Sequence, residues 1–497
     1  MSKQNGGIIG PDNVPTGAFG AASGVWKLSD VTDYKRQGTW PVALSDHQVA
    51  NSCRFDDGSS DYLTESVSST SNRRTFTYSA WIKRSSLSDS GYPRLFNPFV
   101  NSANFFDIFF RNTDALNVYS QNADSNDMNL VTNKLFRDFS AWYHIVVAVD
   151  TTQGTDSNRV KLYVNGTQET SFSASTYPSQ NTDFQINLDT VTNVIGRNQA
   201  GSDNYFDGYM SEIVFVDGSQ LAPTSFGEFN SQTGIWIPKD VSGLTFGTNG
   251  FYLDFKDSSA LGNDAAGSNN FTANNLTSLD QSIDTCTNNF ATGNFINSSF
   301  GSLLKDGNLV APGNTSSTDR ATTGTIGISS GKWYWEAKWE KNNSSFQRAY
   351  LGIVAVEQPL DVGSNAQGNT SFKNTIWDLT GNLYKNGADT GDDYTVTVDS
   401  IVGYAIDLDN GTLKIHENGT YFNSGNAVIT GLDTSITYVP YIACNGGSTF
   451  STLSMNFGSP TLAISSGNVD SSGMGNFEYP VPSGYYSVCT RNLNLIG

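Results

Sequence analysis

The chain has 497 residues, a formal net charge of −19 and a sequence pI near 4.4. This length predicts roughly two or three domains, and so acidic a surface argues against nucleic acid or anionic lipid as a partner. No run of about 18 apolar residues occurs, so no membrane span is expected. The 48 glycines, 12% aromatic residues and only 15% charged residues favour short strands joined by turns over long helices or disorder.

Residues 1–48 differ in composition from the rest of the chain. Glycine, proline and alanine dominate up to Ser23, after which Trp26 and Tyr34 lie at roughly helical spacing and Trp40 follows. A segment this short cannot bury its own aromatic side chains, so they pack either on the next domain or on a larger assembly. The segment lacks the apolar stretch of a secretion signal, and we expect none.

Residues 49–230 contain runs in which apolar and polar residues alternate. The runs FTYSAWIKR, WYHIVVAVD and VKLYVNG each direct one set of side chains inward, and Asn165-Gly166 ends the last run with a hairpin turn. In their order, and together with IGR and FDGYMSEIVFVD, these motifs resemble the concanavalin A-like lectin/glucanase sandwich of the laminin-G type. The resemblance implies an antiparallel β-sandwich whose relatives bind sugars or proteins.

Residues 290–490 predict a second antiparallel sandwich. The motifs GKWYWE, LGI, YKNG, VGYAIDLDNGTL and NFG follow one another, and Asn386-Gly387, Asn410-Gly411 and Asn418-Gly419 are expected to supply the positive φ angles of tight hairpins. This order of motifs resembles the SPRY (B30.2-like) family, whose members are binding domains rather than catalysts. The predicted fold class is all-β, with two jelly-roll-like sandwiches in tandem after a short N-terminal anchor of helical spacing.

Three further segments lie around the predicted sandwiches. Residues 231–289 form a connector with one clear strand, Phe251 to Phe255, which we expect to join a neighbouring sheet. Residues 459–476 are a Gly/Ser-rich insertion in the second sandwich, and residues 491–497 form a tail that covers an edge strand or contacts a partner.

Four cysteines occur far apart, as Cys53, Cys286, Cys444 and Cys489. Their spacing matches neither a disulfide framework nor a metal site, so we expect isolated thiols of a protein made in a reducing cytosol.

The sequence shows no catalytic arrangement. Glucanases with the concanavalin A-like sandwich carry the pattern E-x-D-x-x-E on one strand, which places the carboxylates on one sheet face. The nearest pair here, Glu212 and Asp217, is five residues apart and is expected to be solvent-facing or in a turn. The three histidines, His47, His144 and His416, predict no Ser-His-Asp set, and His144 matches a packing position of the family. We therefore expect no enzyme activity.

Two acidic runs suggest calcium, which prefers clustered carboxylates. Asp407 and Asp409 flank Asn410-Gly411, and the run DDGSSD spans Asp56 to Asp61. Aspartates at such turns ordinarily cap the backbone, and we prefer that interpretation. The laminin-G resemblance leaves calcium open, but no ligand position is matched, so we expect no cofactor and no metal.

Loops on a rigid sandwich are the usual place for sugar recognition, which needs aromatic faces beside amide, carboxylate or guanidinium groups. Each aromatic candidate here also fits a core position. The candidate ligand-binding residues are Tyr92, Arg94, Asn97, Asp203 and Tyr205 in the first sandwich, and Trp377, Asp378 and Tyr384 in the second.

The stretch GVWKLSDVTDYKRQGTWP resembles the opening of structural proteins from tailed bacteriophages, especially marine ones. The resemblance implies a virion protein, made in the host cytoplasm, whose Trp26, Tyr34 and Trp40 contact other tail or capsid proteins. We predict a tail fibre or similar appendage that clusters as a homo-oligomer, with trimers favoured, and recognises host-surface glycan or protein. The alternatives are a glycan-cleaving enzyme on the concanavalin A-like sandwich and a capsid decoration or head fibre protein.

Overall fold

The computed structural model describes residues 47–87, 91–123, 125–230, 234–300, 303–313, 320–341, 348–358, 360, 373–444 and 451–496. The predicted anchor residues Trp26, Tyr34 and Trp40 lie outside the described residues. None of the helices in the described part of the chain is long and apolar enough to cross a membrane.

Nineteen strands and one short helix make up the first half of the described chain. In chain order they are β1 (Ser52–Phe55), β2 (Tyr62–Ser66), β3 (Thr75–Arg84), β4 (Arg94–Phe96), β5 (Phe99–Asn101), β6 (Asn104–Phe110), β7 (Ala115–Asn122), β8 (Ser125–Leu135), β9 (Tyr143–Asp150), α1 (Asp156–Arg159), β10 (Val160–Val164), β11 (Thr167–Gln168), β12 (Phe172–Thr176), β13 (Thr192–Ile195), β14 (Gly208–Asp217), β15 (Gly227–Phe229), β16 (Trp236–Pro238), β17 (Phe251–Leu253), β18 (Thr272–Asn274) and β19 (Gln281–Ser282). Single 3₁₀ turns lie at Pro223–Ser225 and Ser278–Asp280.

The second half of the described chain continues the all-β pattern and ends in a helix. Its elements are β20 (Gly293–Ser298), β21 (Val310–Pro312), β22 (Arg320–Gly324), β23 (Lys332–Lys341), β24 (Ala349–Ala355), β25 (Asn374–Asp378), β26 (Asn382–Lys385), β27 (Ala388–Asp393), β28 (Ile401–Asp407), β29 (Thr412–Glu417), β30 (Thr420–Tyr421), a 3₁₀ turn (Asn423–Gly425), β31 (Tyr438–Cys444), β32 (Ser451–Asn456), β33 (Tyr486–Ser487) and α2 (Thr490–Ile496). The predicted all-β class is confirmed.

The first sandwich, strands β1 to β19, consists mainly of two antiparallel sheets. One has the order β11-β10-β9-β3-β14-β1-β19, with β17 paired to β14, and the other has the order β12-β8-β7-β6-β5-β13-β2-β18, with β4 paired to β6. On β3, the alternate residues Phe76, Tyr78, Ala80 and Ile82 are fully buried in the core. Phe76 meets Phe106 edge to face at 5.4 Å between ring centroids. The period of two in the sequence therefore becomes the inner face of the sheet.

The connector covers the first sandwich as well as leading out of it. Strand β17 pairs with β14, β18 with β2 and β19 with β1. Phe226 and Val241 pack against Val146 and Val214 on the outer face of the sheet that contains β3. Both faces of that sheet are therefore shielded from water, although the alternation in the sequence predicts only one buried face.

The second sandwich, strands β20 to β33, pairs two sheets of seven strands each. Their orders are β20-β22-β31-β24-β25-β26-β27 and β21-β32-β23-β28-β29-β30, and β33 lies parallel to β23. The GKWYWE motif is the start of β23, whose Trp333, Trp335 and Trp339 are buried in the core. On its opposite face, the buried Glu336 carboxylate accepts hydrogen bonds from the Glu478 and Tyr479 backbone N–H groups at 3.0 and 2.8 Å. The segment after the predicted insertion therefore covers the outer face of the sheet.

The Asn-Gly hairpins follow the prediction with one exception. Asn386 and Gly387 have φ angles of +48° and +72°, and Asn418 and Gly419 have +46° and +78°, as two-residue hairpins require. In the pair Asn410-Gly411 only Gly411 has a positive φ. The prediction was wrong for Asn410 because Asp407 accepts hydrogen bonds from the backbone and side-chain amides of Asn410, at 3.0 and 2.8 Å, and forms a capped turn.

A buried polar junction joins the two sandwiches. The Lys83 ammonium on β3 contacts the Asp284 carboxylate at 2.8 Å and the Asn289 side-chain oxygen at 2.6 Å. The side chains of Lys83 and Asp284 are both 1% exposed, and the Trp142 indole N–H donates to the second Asp284 oxygen at 3.2 Å. Because an ion pair this deep has no water to replace a lost partner, its geometry fixes where the connector leaves the first sandwich.

Direct contacts between the sandwiches surround this ion pair. The Tyr209 hydroxyl donates to the Gly307 carbonyl at 3.1 Å, and the Asn308 amide donates to the Ser85 carbonyl at 2.8 Å. The Arg54 guanidinium donates to the carbonyl of Pro460, inside the predicted insertion. The two sandwiches are therefore joined by directed hydrogen bonds from several elements.

Removing one charge of the buried pair should be costly. We expect Lys83→Met to lower the free energy of unfolding by about 3–5 kcal/mol, because Asp284 is left buried without a cation. The double variant Lys83→Met/Asp284→Leu should recover most of that loss. Urea unfolding followed by tryptophan fluorescence measures both.

Arg74→Met provides the matched control, since Arg74 pairs with Asp183 at side-chain exposures of 42% and 46%. An exposed pair contributes at most about 1 kcal/mol. A Lys83→Met variant no less stable than Arg74→Met would contradict the importance assigned to the junction.

Candidate functional site

Two loops, each predicted from the sequence to bind ligand, meet at one end of the first sandwich. The Asn204 side-chain oxygen accepts from the Tyr92 backbone N–H at 2.7 Å, and the Asn204 carbonyl accepts from the Arg94 backbone N–H at 3.2 Å. The Asn97 side-chain oxygen accepts from the Gln199 backbone N–H at 2.9 Å. The loop before β4 and the loop between β13 and β14 therefore form one continuous surface.

The second of these loops is shaped by a tight turn. Asn198 and Asp203 form an isolated β-bridge, and the Asn198 side-chain amide donates to the Asp203 carboxylate at 2.9 Å. Asn204 follows with a φ of +53°, in the left-handed region that asparagine tolerates better than most residues. This turn leaves Asp203 exposed and directs the half-buried Tyr205 back toward the sandwich.

The centre of the surface is a cluster of two tyrosines and an arginine, here called the tyrosine–arginine site and defined as Tyr62, Arg197 and Tyr205. The rings of Tyr62 and Tyr205 lie edge to face at 6.2 Å between centroids. The Arg197 guanidinium lies over the Tyr62 ring, 3.7 Å from its centroid, and donates to the Tyr205 hydroxyl at 3.5 Å. A second guanidinium nitrogen donates to the Gln199 side chain at 2.8 Å.

Sequence reasoning missed Tyr62 and Arg197. Tyr62 follows the acidic run that was interpreted as a turn, and Arg197 belongs to the IGR motif that served only to identify the family. Neither residue has a local pattern that indicates a site, because they meet only through the pairing of β2 with β13. The sequence signal that could have identified Arg197 is its position two residues after the buried strand β13.

Arg94 and Asn97 support the surface from below. The Arg94 guanidinium contacts the Asp107 carboxylate at 2.9 Å and lies 4.5 Å from the centroid of the Phe109 ring. Asn97 is 1% exposed and donates to the Phe106 carbonyl. Both are held by internal partners, and Arg94 and Tyr92 are each half-buried, so the predicted ligand-binding role of Arg94 and Asn97 stays a prediction.

The candidates of the second sandwich lie on two sheet faces, with Trp377 in the core and Asp378 and Tyr384 near Arg348 on the opposite face. Trp377 is fully buried in the core, and its indole N–H donates to the Tyr394 carbonyl. The buried Asp378 caps its own turn through the backbone N–H and hydroxyl of Thr380. Tyr384 is half-buried and packs with the cluster on the other sheet face. Trp377 and Asp378 are therefore structural in this fold, because neither offers a free face to a ligand.

Glu212 and Asp217 are not solvent-facing as predicted. Glu212 is 6% exposed, has a φ of +51° at a bulge in β14, and accepts from the Tyr252 hydroxyl at 2.8 Å and from His47 at 3.2 Å. Asp217 is 8% exposed and accepts from the Asn249 backbone N–H at 3.1 Å. The prediction was wrong because the connector supplies Tyr252 and Asn249 to cover the strand.

The remaining histidine and aspartate predictions concern packing and turns. His144 is fully buried between Ser79 and the Trp236 indole N–H, and burial lowers its pKa to about 3, so the ring is neutral. Asp407 caps its turn, and Asp409 accepts from the Gly331 backbone N–H at 2.8 Å. Among the described residues, no group of three His, Cys, Asp or Glu side chains is arranged to hold a metal ion.

Asp61, next to Tyr62, lies in a crowded acidic region. It is 2% exposed, one of its oxygens accepts from the Asp56 backbone N–H at 3.0 Å, and the other has no hydrogen-bond partner. Burial raises its pKa to about 7, and the carboxylates of Asp280, Asp56 and Asp306 act in the same direction. The folded protein therefore holds a proton there that the unfolded chain releases near pH 4, the ordinary aspartate pKa.

A raised pKa makes this contribution to stability greatest at low pH. It is fully present below about pH 4 and is lost as the pH rises toward 7. We expect Asp61→Asn, which mimics the protonated form, to gain stability relative to wild type between pH 5 and pH 7.5, by about 1–3 kcal/mol. Urea unfolding at several pH values measures this difference.

The matched control is Asp183→Asn. Its side chain is 46% exposed, and the hydrogen bond from Arg74 lowers the Asp183 pKa. The difference between this variant and wild type should stay constant between pH 5 and pH 7.5, because Asp183 is ionised throughout that range. A difference for Asp61→Asn that is equally flat would contradict the assignment of a protonated Asp61.

Comparison with known proteins finds one matching family model and several solved structures of low similarity. The family model of the concanavalin A-like lectin/glucanases superfamily named Laminin_G_3 matches residues 57–222. No curated protein matches the chain. Solved structures similar to parts of the chain include the SPRY domain of human HERC1. The match is 14% identical, covers 33% of this chain and 96% of that chain, and has a TM-score of 0.28.

Two further structures have similarly low scores. The match to the SAP-like pentraxin of Limulus polyphemus is 16% identical, covers 47% of this chain and 90% of that chain, and has a TM-score of 0.25. The third structure is domain 4 of AbnA, an extracellular arabinanase of Geobacillus stearothermophilus, in complex with arabinotriose. This match is 18% identical, covers 31% of this chain and 65% of that chain, and has a TM-score of 0.23. Scores this low carry no argument about function. The family model covers about a third of the chain, and over residues 57–222 it supports the resemblance to the concanavalin A-like lectin/glucanase sandwich.

Proposed function

We propose that the chain is a virion structural protein of a tailed bacteriophage, an appendage that binds glycan on the host surface through its first sandwich. The observation that carries the binding role is the convergence of two loops around the tyrosine–arginine site in a domain of a lectin superfamily. The resemblance of the stretch GVWKLSDVTDYKRQGTWP to phage structural proteins supports the placement in a virion.

The chemistry of the tyrosine–arginine site suits a sugar. The half-buried Tyr62 and Tyr205 offer ring surface for the C–H face of a pyranose, and Asp203 and Gln199 offer acceptors and donors for its hydroxyls. A surface with so few polar contacts binds each sugar weakly. Several copies on one particle compensate, because linked sites gain avidity without new contacts.

The buried junction between the sandwiches supports a role in display. Lys83 holds the connector through Asp284 and Asn289, and direct hydrogen bonds join the two sandwiches, so a site on the first keeps a defined position relative to the second. In this proposal residues 1–48 attach the protein to tail or capsid proteins, and the copies form a homo-oligomer, with a trimer as our specific expectation.

Binding without cleavage can be tested on purified protein. We expect an array of bacterial surface polysaccharides to contain ligands, and we expect Tyr62→Ala and Tyr205→Ala each to weaken binding roughly thirtyfold, the equivalent of about 2 kcal/mol. Incubation with the same ligands should release no reducing ends above a blank.

Tyr384→Ala is the matched control, because it removes a half-buried tyrosine from the second sandwich. It should leave binding unchanged. Loss of binding in this variant alone would transfer the site to the second sandwich. Hydrolysis that a single Asp or Glu substitution abolishes would replace the binding role by an enzymatic one.

Attachment to the particle is tested separately. Deletion of residues 1–45, or the double substitution Trp26→Ala/Trp40→Ala, should leave both sandwiches folded and remove the protein from assembled virions. Aromatic side chains at an interface centre commonly contribute about 2 kcal/mol or more each. Complementation followed by mass spectrometry of purified particles gives the readout. Normal incorporation of the truncated chain would show that attachment lies elsewhere, with Cys489 to Gly497 as the next candidate.

A further inference from the structure

Arg197 is a buried cation whose hydrogen-bond partners are all neutral. Its exposure is 9%, and it donates to the Gln199 side chain and to the Tyr205 hydroxyl, the latter at 3.5 Å, the limit for a hydrogen bond. Its Nε–H has no hydrogen-bond partner. Among the described residues, no Asp or Glu oxygen lies within 4.0 Å of its guanidinium nitrogens.

Other arginines in the same sandwich contact a carboxylate. The buried Arg84 contacts Asp114 at 3.1 Å, and Arg94, 13% exposed, contacts Asp107 at 2.9 Å. A guanidinium removed from water is costly unless an anion or a full set of hydrogen bonds compensates it. With an unpartnered N–H and one long hydrogen bond, Arg197 is incompletely compensated, although the chain carries 47 acidic residues that could have supplied an anion.

The surroundings of Arg197 orient its planar group. The Tyr62 ring covers one face of the guanidinium at 3.7 Å, which leaves the edge of the group as the direction for in-plane hydrogen bonds. A planar carboxylate matches that edge and forms charge-assisted bonds that are roughly twice as strong as neutral ones. Tyr205, whose ring lies beside Tyr62, provides the adjoining surface for a sugar ring.

We propose that the tyrosine–arginine site selects a glycan that carries a carboxylate, such as a uronic or sialic acid, and that Arg197 binds this carboxylate. The inference rests on the glycan-binding role proposed above and narrows its ligand class. The carboxylate of the bound ligand would then be the anionic partner of Arg197, which no described Asp or Glu side chain provides.

Several carboxylates of the protein oppose an acidic ligand, among them Asp203, Asp61 and the neighbours of Asp61. Asp203 is exposed in the same loop, and Asp61 is adjacent to Tyr62 on the neighbouring strand. Burial raises the pKa of Asp61 to about 7, so its repulsion of an anion is reduced below that pH, whereas Asp203 is the exposed carboxylate of the loop. Removing the Asp203 charge should therefore raise the preference for acidic over neutral ligands.

The test compares pairs of ligands that differ only in charge or in the acidic sugar. Tetragalacturonate is compared with its methyl ester, and 3′-sialyllactose with lactose, by titration calorimetry on the full chain. We expect the acidic member of at least one pair to bind tenfold or more tightly than its neutral partner. Arg197→Gln should abolish this preference by weakening acidic binding more than neutral binding, whereas Arg197→Lys should retain part of the preference, because it keeps the charge and loses the fork.

Two further variants calibrate the result. Asp203→Asn should raise the ratio of the acidic member's affinity to that of its neutral partner. Arg137→Gln removes the same unit charge from an arginine that is 55% exposed and remote from the loops of the site in the sequence, and it should change neither affinity. Thermal unfolding checks each variant, and if Arg197→Gln does not fold, Arg197→Lys and Asp203→Asn carry the test.

The outcomes separate the ligand class from the function. Equal affinities within both pairs, or an equal loss of acidic and neutral binding in folded Arg197→Gln, would overturn the role of Arg197. If neither pair binds while the polysaccharide array shows other ligands, the carboxylate inference fails and the glycan-binding function stands. An array without any ligand would overturn the proposed function itself.

Discussion

The buried contact between Lys83 and Asp284 is the interaction that ties the connector to the first sandwich in the described part of the chain. It places the end of the connector against β3, and the same ammonium reaches Asn289, where the second sandwich begins. A pair so fully removed from water tolerates little displacement, because any movement leaves a charge buried without its partner. The contacts of Tyr209 with Gly307 and of Asn308 with Ser85 are direct consequences of this placement.

The connector shows how a segment with weak local pattern acquires its structure from its neighbours. Its strands β17, β18 and β19 are only two or three residues long and pair with strands that already exist. They extend or cover edges of the first sandwich that would otherwise offer unpaired backbone groups to other chains. The same segment supplies Tyr252 to Glu212 and thereby buries a carboxylate on the outer face of β14.

The sequence was sufficient for the features that local chemistry determines. The alternation on β3 and the Asn-Gly turns at Asn386 and Asn418 are visible in single stretches of residues, and the structure follows them. It was insufficient where the outcome depends on strand pairing. Tyr62 and Arg197 meet only because β2 lies beside β13, and Trp377 is distinguished from a surface aromatic only by the side of the sheet on which it falls. Glu212 was misassigned for the same reason, because its partner comes from a distant segment.

The four thiols have a consequence for the conditions that the protein can withstand. None of the four forms a disulfide, Cys53, Cys444 and Cys489 are buried, and burial raises the pKa of Cys489 to about 11 and those of Cys53 and Cys286 well above the ordinary value. Thiolate, the form that oxidants attack, is therefore scarce at neutral pH. Oxidation of Cys53, Cys286 and Cys489 by air is therefore expected to be slow. Passage from a reducing to an oxidising medium should leave its covalent structure unchanged.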